Sequence, residues 1–103
     1  MKEFITDTLK DGRIEWQRHA LQRMLERDIS RNDVKRVLLE GEIIEEYPKD
    51  QPFPSFLILG FLEENKPLHV VAALDKKDGW CYIITAYQPD ASRFKDNYKT
   101  RTE

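Results

Sequence analysis

Apolar residues spaced by three and four positions predict a helix over residues 17–27. Its buried stripe would consist of Ala20, Leu21, Met24 and Leu25. Three basic side chains, His19, Arg23 and Arg27, follow one another at intervals of four residues along one edge of the opposite face. Residues 1–12 are expected to form a short helix or an arm that ends at Gly12, and residues 13–16 a short strand.

A second helix is predicted to begin almost at once. Ser30 is a favourable N-cap, and Asp33 stands where the acid of a capping box would be. Gly41 is placed to end the helix in the left-handed conformation, and Ile29 would hold the corner between the two helices. The buried stripe of this helix would be Val34, Val37 and Leu38.

The remainder of the chain has the pattern of a sheet. Strands are predicted over 42–47, 56–62, 68–74 and 80–87, with a proline-rich loop over 49–54. Residues 91–103 form a polar tail, in which Phe94 and Tyr98 could anchor a last short helix. The sequence therefore predicts an α+β domain over 13–90, with two consecutive helices on one face of a mostly antiparallel four-stranded sheet.

The last two strands are expected to form a hairpin in which Leu74 pairs with Trp80. That register places His69 opposite Thr85. One face of the hairpin would then carry His69, Thr85, Tyr87 and Cys81. The opposite, apolar face would pack on the helices and carry Leu68, Val70, Ala72, Leu74, Trp80, Tyr82, Ile84 and Ala86.

Composition narrows the class of protein. The 103 residues carry a net charge of −2 and are 40% apolar, and Cys81 is the only cysteine. A single cysteine cannot form a disulfide within the chain, and the sequence contains no apolar run long enough to span a bilayer. A soluble cytoplasmic protein without membrane contact is therefore expected. Net acidity argues against strong nonspecific binding of nucleic acid, yet residues 13–36 hold seven basic and four acidic side chains.

Two groups of residues could carry chemistry. His19, Arg23 and Arg27 could grip a phosphate or a carboxylate, because the guanidinium is a planar fork of donors; alternatively they are a solvated helix face. His69 lies inside an apolar strand and could act as a general acid or base, or be a structural histidine bonded to the Thr85 hydroxyl.

The tyrosines and the cysteine leave further alternatives. Tyr47 and Tyr87 could stack a base or donate a proton, or be strand-end tyrosines with a wet hydroxyl. Cys81 is expected to be an inert apolar side chain. His19, His69 and Cys81 lack the spacing of metal ligands, and there is no P-loop, dinucleotide glycine pattern, serine elbow or HExxH motif, so neither a metal nor a cofactor is expected.

Several short motifs, in their order and spacing, resemble the family catalogued as domain of unknown function 4258. They are His19-Ala20, Arg23-Met24, Arg27, Ile29-Ser30, Asp33-Val34, Gly41-Glu42-Ile43-Ile44, Tyr47-Pro48, Leu68-His69-Val70-Val71 and Ile84-Thr85-Ala86-Tyr87. The likeness covers about residues 14–90. It implies a small bacterial α+β fold similar to the RelE/ParE and BrnT toxins of toxin–antitoxin pairs, many of which cleave RNA.

Two functions follow from this resemblance. The first is a toxin-like, metal-independent endoribonuclease, in which His19, His69 and Tyr87 would serve catalysis and Arg23, Arg27, Tyr47 and Thr85 would hold the RNA. The second is a non-catalytic module on the same fold that binds protein or nucleic acid. RNA and a small antitoxin-like protein are the partners implied. A nuclease needs a histidine and an arginine around one cleft, whereas a binding module does not.

Overall fold

The structure is a computed structural model, which describes residues 1–90 and 97–100. It is an α+β fold, as predicted. The described elements are α1 (Lys2–Lys10), β1 (Ile14–Trp16), α2 (Arg18–Glu26), α3 (Arg31–Glu40), β2 (Glu42–Tyr47), β3 (Ser55–Phe61), a 3-10 turn (Glu63–Asn65), β4 (Pro67–Asp75) and β5 (Trp80–Tyr87).

The sheet has five strands in the order β1-β5-β4-β3-β2. Neighbouring strands from β2 to β5 are antiparallel, and β1 runs parallel to β5 at the edge. The domain expected over 13–90 had two helices and four strands, so its sheet is larger by one strand, the short strand expected over 13–16. The short helix expected over 1–12 is present as α1 and is the third helix of the fold. The short segment Ile14–Trp16 joins the sheet because Cys81 N–H donates to the carbonyl oxygen of Arg13 and continues the ladder.

The predicted register of the β4–β5 hairpin is wrong. Leu74 pairs with Cys81, and a bulge between Val71 and Ala72 shifts the pairs beyond it, so that His69 faces Tyr87. A bulge adds one residue to one strand and exchanges the faces of all residues beyond it. Here the added residue is Ile84, which no residue of β4 opposes.

The core lies between the helices and one face of the sheet. Ile5 of α1 is fully buried, so α1 packs into the same core as the elements that follow. Leu25, expected in this core, is 84% exposed, because it lies well around the helix from the buried pair Ala20 and Met24. The other large buried apolar side chains include Val34, Val37, Leu38, Ile58, Leu68, Val70, Leu74, Cys81 and Ile83.

The ends of α3 are fixed by different means. At its start Ser30 and Asp33 form the predicted capping box, with N–H to side-chain distances of 3.0 and 2.9 Å. At its end Gly41 is extended (φ −79°, ψ 178°), so the predicted left-handed conformation is wrong. The Lys2 ammonium donates to the carbonyl oxygens of Leu38 and Gly41, at 2.6 and 2.8 Å, and its partial burial lowers the Lys2 pKa.

Candidate functional site

Helix α2 carries the basic residues of the predicted site. The helix begins after Gln17, whose extended backbone serves as N-cap without a side-chain hydrogen bond, and Ala20 and Met24 fix its buried side. His19, Arg23 and Arg27 are all exposed on one side of that stripe. We call these three residues the α2 edge.

Each member of the α2 edge has a different environment. The Arg23 guanidinium forms an exposed ion pair with Glu26 at 3.2 Å. The Arg27 Nη1 atom donates to the carbonyl oxygen of Ala86 at 2.9 Å, beyond the point where β1 stops pairing with β5. Within residues 1–90 and 97–100 no carboxylate forms an ion pair with Arg27, although Asp28, Asp33, Glu63 and Glu64 line a neighbouring cleft with it. Its remaining N–H groups can donate elsewhere.

Arg27 lies beside one of the predicted tyrosines. Arg27, Tyr87 and Gln88 line a shallow cleft where β5 ends. The Tyr87 ring is half-buried and stands at 68° to the ring of His69, with 5.4 Å between their centroids. The structure therefore brings together one arginine, one tyrosine and one histidine of the predicted site.

His69 lies behind this cleft and is not open to solvent. Its side chain is fully buried on the sheet face opposite the helices. The Nε2 atom lies 2.8 Å from the carbonyl oxygen of Tyr98, and Nδ1 lies 3.4 Å from the Tyr87 hydroxyl. Because a carbonyl oxygen only accepts, Nε2 carries a hydrogen. In the tautomer that has its hydrogen on Nε2 alone, Nδ1 accepts from the Tyr87 hydroxyl. The prediction that His69 bonds to the Thr85 hydroxyl is wrong, since Thr85 pairs with Val71 and His69 pairs with Tyr87.

Tyr47 lies far from this group. It ends β2 at the outer edge of the sheet and pairs with Ser55, whereas Tyr87 is in the row of His69 and Leu59. The Tyr47 hydroxyl donates to the carboxylate of Glu45. Tyr47 and Tyr87 therefore belong to different strands and different rows, and they do not line one cleft.

Cys81 faces the helices, so its expected place beside His69 is wrong. Cys81 pairs with Leu74 and shares its face of the sheet, so it lies in the core together with Ile83, where its side chain is fully buried and contacts Thr8. Burial raises the pKa of the thiol to about 12, and the hydrogen bond with Thr8 opposes this only in part. A thiol with that pKa is neutral and unreactive near pH 7. Phe94, expected to anchor a last helix, lies outside the described residues.

A second cavity, which the sequence did not predict, lies on the same open face of the sheet. Its floor consists of Val71, Ala73 and Ile84, and its volume is about 300 Å³. Phe53 and Tyr82 form one wall, with parallel rings whose centroids are 5.4 Å apart. We call this space the aromatic cavity. The correct register would have predicted this cavity, because the pairing of Leu74 with Cys81 turns Tyr82 away from the helices, and Ile84, the unopposed residue of the bulge, also lines the open face.

The rim of the aromatic cavity is polar. Gln17 and Gln51 line it, and so do Ser55 and Asp50, whose Oδ2 accepts from the Ser55 hydroxyl at 2.5 Å. Partial burial raises the pKa of the Tyr82 phenol, and the carboxylates of Asp75, Glu15 and Asp78 raise it further. These carboxylates make the potential around the Tyr82 hydroxyl negative.

Two kinds of feature are absent from the part of the chain that the structure describes. Within residues 1–90 and 97–100, no three histidine, cysteine or carboxylate side chains come together as metal ligands would. None of the helices described there is long and apolar enough to cross a membrane.

Residues 16–88 match the family described as domain of unknown function (DUF4258), and this chain belongs to that family. The match includes all elements from α2 to β5, and with them the α2 edge, His69 and the aromatic cavity. No curated protein and no solved structure matches the chain.

Proposed function

We propose that this protein is a small RNA-binding module, and that the phosphates of a single-stranded RNA contact the α2 edge. The observation that carries the proposal is the position of Arg27, an exposed arginine that lines a cleft with Tyr87 and forms no ion pair with a carboxylate of the described residues. Phosphate is bound most strongly by such guanidinium forks, and a tyrosine ring beside one can stack a base.

The geometry of α2 supports an extended ligand. His19, Arg23 and Arg27 are separated by four residues each, so the outer two lie about 12 Å apart along the helix axis. Gln17 before the helix borders the aromatic cavity and Arg27 at its end borders the Tyr87 cleft, so both ends of α2 reach the open face of β5. An RNA strand along β5 would therefore pass all three cations. A RelE- or BrnT-like fold, implied by the resemblance, agrees with this proposal.

Anisotropy of a labelled oligouridine tests RNA binding. With three phosphate contacts, the logarithm of the association constant should fall against the logarithm of salt concentration with a slope of about −2. Arg27→Ala should weaken binding by roughly tenfold. It should also make the slope less steep by about 0.7, the value for one lost phosphate contact. Lys10→Ala, which removes an exposed cation from α1, is the matched control and should bind as the parent does. Equal affinity of the Arg27 variant and the parent would contradict the proposal.

RNA cleavage is the second candidate function, and one contact favours it. The Tyr87 hydroxyl lies 3.4 Å from Nδ1 of His69, beside Arg27, and donates to it in the tautomer with the ring hydrogen on Nε2. If a ribose 2′-hydroxyl passed its proton to the Tyr87 oxygen while Tyr87 passed its own to Nδ1, the 2′-oxygen could attack phosphorus and expel the 5′-oxygen, which would take a proton from water. The imidazolium so formed would keep its Nε2–H bond to the carbonyl oxygen of Tyr98. In this scheme Tyr87 touches the ribose, whereas His69 does not contact the RNA because it is buried.

Cleavage is tested with a mixed RNA pool, with and without ribosomes. Tyr87→Phe removes the proton relay but keeps the ring, so it should abolish cleavage and leave oligouridine affinity within about threefold of the parent value. Cleavage by the parent and by Tyr87→Phe at the same rate would exclude the relay. If the parent does not cleave RNA in either condition but binds oligouridine, the binding module stands.

A further inference from the structure

We propose that the aromatic cavity binds a guanine base. This inference rests on the proposed function, since the base would belong to an RNA whose backbone lies on the α2 edge. The argument uses the shape of the cavity, its charge and the donors that its rim can satisfy.

The shape suits a flat ring. The floor is the apolar surface of two neighbouring strands, formed by Val71, Ala73 and Ile84, and the wall is the stacked pair Phe53 and Tyr82. A volume of about 300 Å³ is at the lower end of the range of ligand cavities and admits a nucleobase with part of its ribose. Aromatic walls on apolar floors bind bases by stacking, which is worth about 1–3 kcal/mol per base.

The charge of the cavity excludes the phosphate from it. Asp50 stands at its rim, within the cavity lining. Outside the lining, the carboxylates of Asp75, Glu15 and Asp78 act on the Tyr82 phenol, whose pKa is raised first by burial and then by these charges. A negative potential repels phosphate and favours a group that donates hydrogen bonds. The base would therefore enter the cavity while the phosphates remain outside, next to Arg18 and His19, which directly follow the cavity residue Gln17 and are exposed.

The donors of guanine match the carboxylate of Asp50. Ser55 holds this side chain in place through its hydroxyl, and the Oδ1 atom lies on the other side of the carboxylate. Guanine is the base whose pairing edge carries two adjacent N–H donors, N1–H and N2–H, which a carboxylate accepts as a pair. Adenine and cytosine present a donor beside an acceptor, and uracil presents one donor between two acceptors, so each would face Asp50 with an acceptor. The Gln17 and Gln51 amides each carry a donor and an acceptor, so they can hydrogen-bond to the other polar groups of the guanine ring.

Calorimetric titration with free nucleosides tests the cavity without the RNA backbone. Guanosine should bind with a Kd on the order of 1 mM or below, and adenosine, cytidine and uridine at least roughly tenfold more weakly. Asp50→Asn should reduce guanosine affinity by roughly tenfold, because an amide replaces one acceptor with a donor while its oxygen can still accept from Ser55. Asp11→Asn, an exposed acid at the end of α1, is the matched control and should bind guanosine as the parent does.

The outcomes separate this inference from the proposed function. Equal affinity for guanosine and uridine on the parent protein, or no saturable binding of guanosine, would overturn the inference even if Asp50→Asn failed to fold. If guanosine does not bind but oligouridine does, RNA binding by the α2 edge is supported and guanine binding in the aromatic cavity is wrong. If guanosine binds and oligouridine does not, the cavity is a nucleoside site and the proposed RNA function falls.

Discussion

The backbone of Gly41 approaches Val37 so closely that a Cβ atom at position 41 would lie 2.4 Å from the Val37 carbonyl oxygen. The same atom would lie 2.6 Å from the carbonyl oxygen of Leu59. Gly41 is thus required by the close approach of α3 to β3 and not by its own dihedral angles. Neither contact can be relieved by turning a side chain, because both involve backbone atoms.

This relationship predicts that Gly41→Ala is severely destabilising. The free energy of unfolding should fall by about 2 kcal/mol or more, since the end of α3 must move away from β3. Gly12→Ala is the matched control: Gly12 has a positive φ of 70° but nothing within 4 Å of its Cβ position, so only about 1 kcal/mol should be lost. Urea unfolding measures both. A smaller loss at position 41 than at position 12 would show that α3 and β3 are not in close contact.

Two adjacent leucines test the packing of α3. Leu38 is fully buried, whereas Leu39 is 48% exposed. Leu38→Ala should lower the free energy of unfolding by roughly 2–5 kcal/mol through loss of apolar contacts and creation of a cavity. Leu39→Ala should change it by no more than about 0.5 kcal/mol. Equal effects at the two positions would mean that the buried face of α3 is assigned wrongly.

Local signals predicted much of the fold. The capping box at Ser30, the stripe of α3 and the limits of β2 and β5 follow from residues within a few positions of each other, and the structure confirms them. Leu25 fits the same spacing rule and yet is exposed, because periodicity alone does not say how wide the buried stripe is.

The site was harder to predict because its geometry depends on one bulge. A regular hairpin would put Cys81 and Tyr87 on the same face, whereas the extra residue Ile84 lets Tyr87 lie beside His69 on the open face while Cys81 faces the core. No local sequence signal marks that bulge, since Ile83 and Ile84 are equally apolar. The contact of His69 with the carbonyl oxygen of Tyr98 is equally remote from sequence patterns, because it joins β4 to a segment near the end of the chain.

The buried position of His69 predicts a structural contribution. His69→Ala should lower the free energy of unfolding by about 2–4 kcal/mol, because it leaves a cavity and removes the partner of the Tyr87 hydroxyl and of the Tyr98 carbonyl group. His19→Ala, which changes an exposed imidazole, should lower it by less than about 0.5 kcal/mol. Urea unfolding of both variants measures the difference. An unchanged unfolding free energy for His69→Ala, with loss of RNA cleavage, would instead assign His69 to catalysis alone.

The raised pKa of Cys81 predicts that this thiol makes stability fall in alkaline solution. Burial raises its pKa from the ordinary value of 9.0 to about 12 in the folded protein. Above pH 9 the unfolded chain therefore releases the thiol proton while the folded chain keeps it, and unfolding is favoured as pH rises toward 12. Between about pH 8 and about pH 10 this group alone should remove about 1.3 kcal/mol from the free energy of unfolding.

The control variant Cys81→Ala lacks the thiol and retains Lys2 and Tyr82, whose shifted pKa values also affect alkaline stability. Urea unfolding of both proteins under reducing conditions should therefore show the stability advantage of the parent shrinking by that amount over these two pH units. A constant difference between parent and variant would mean that Cys81 ionises as readily in the folded protein as in the unfolded chain.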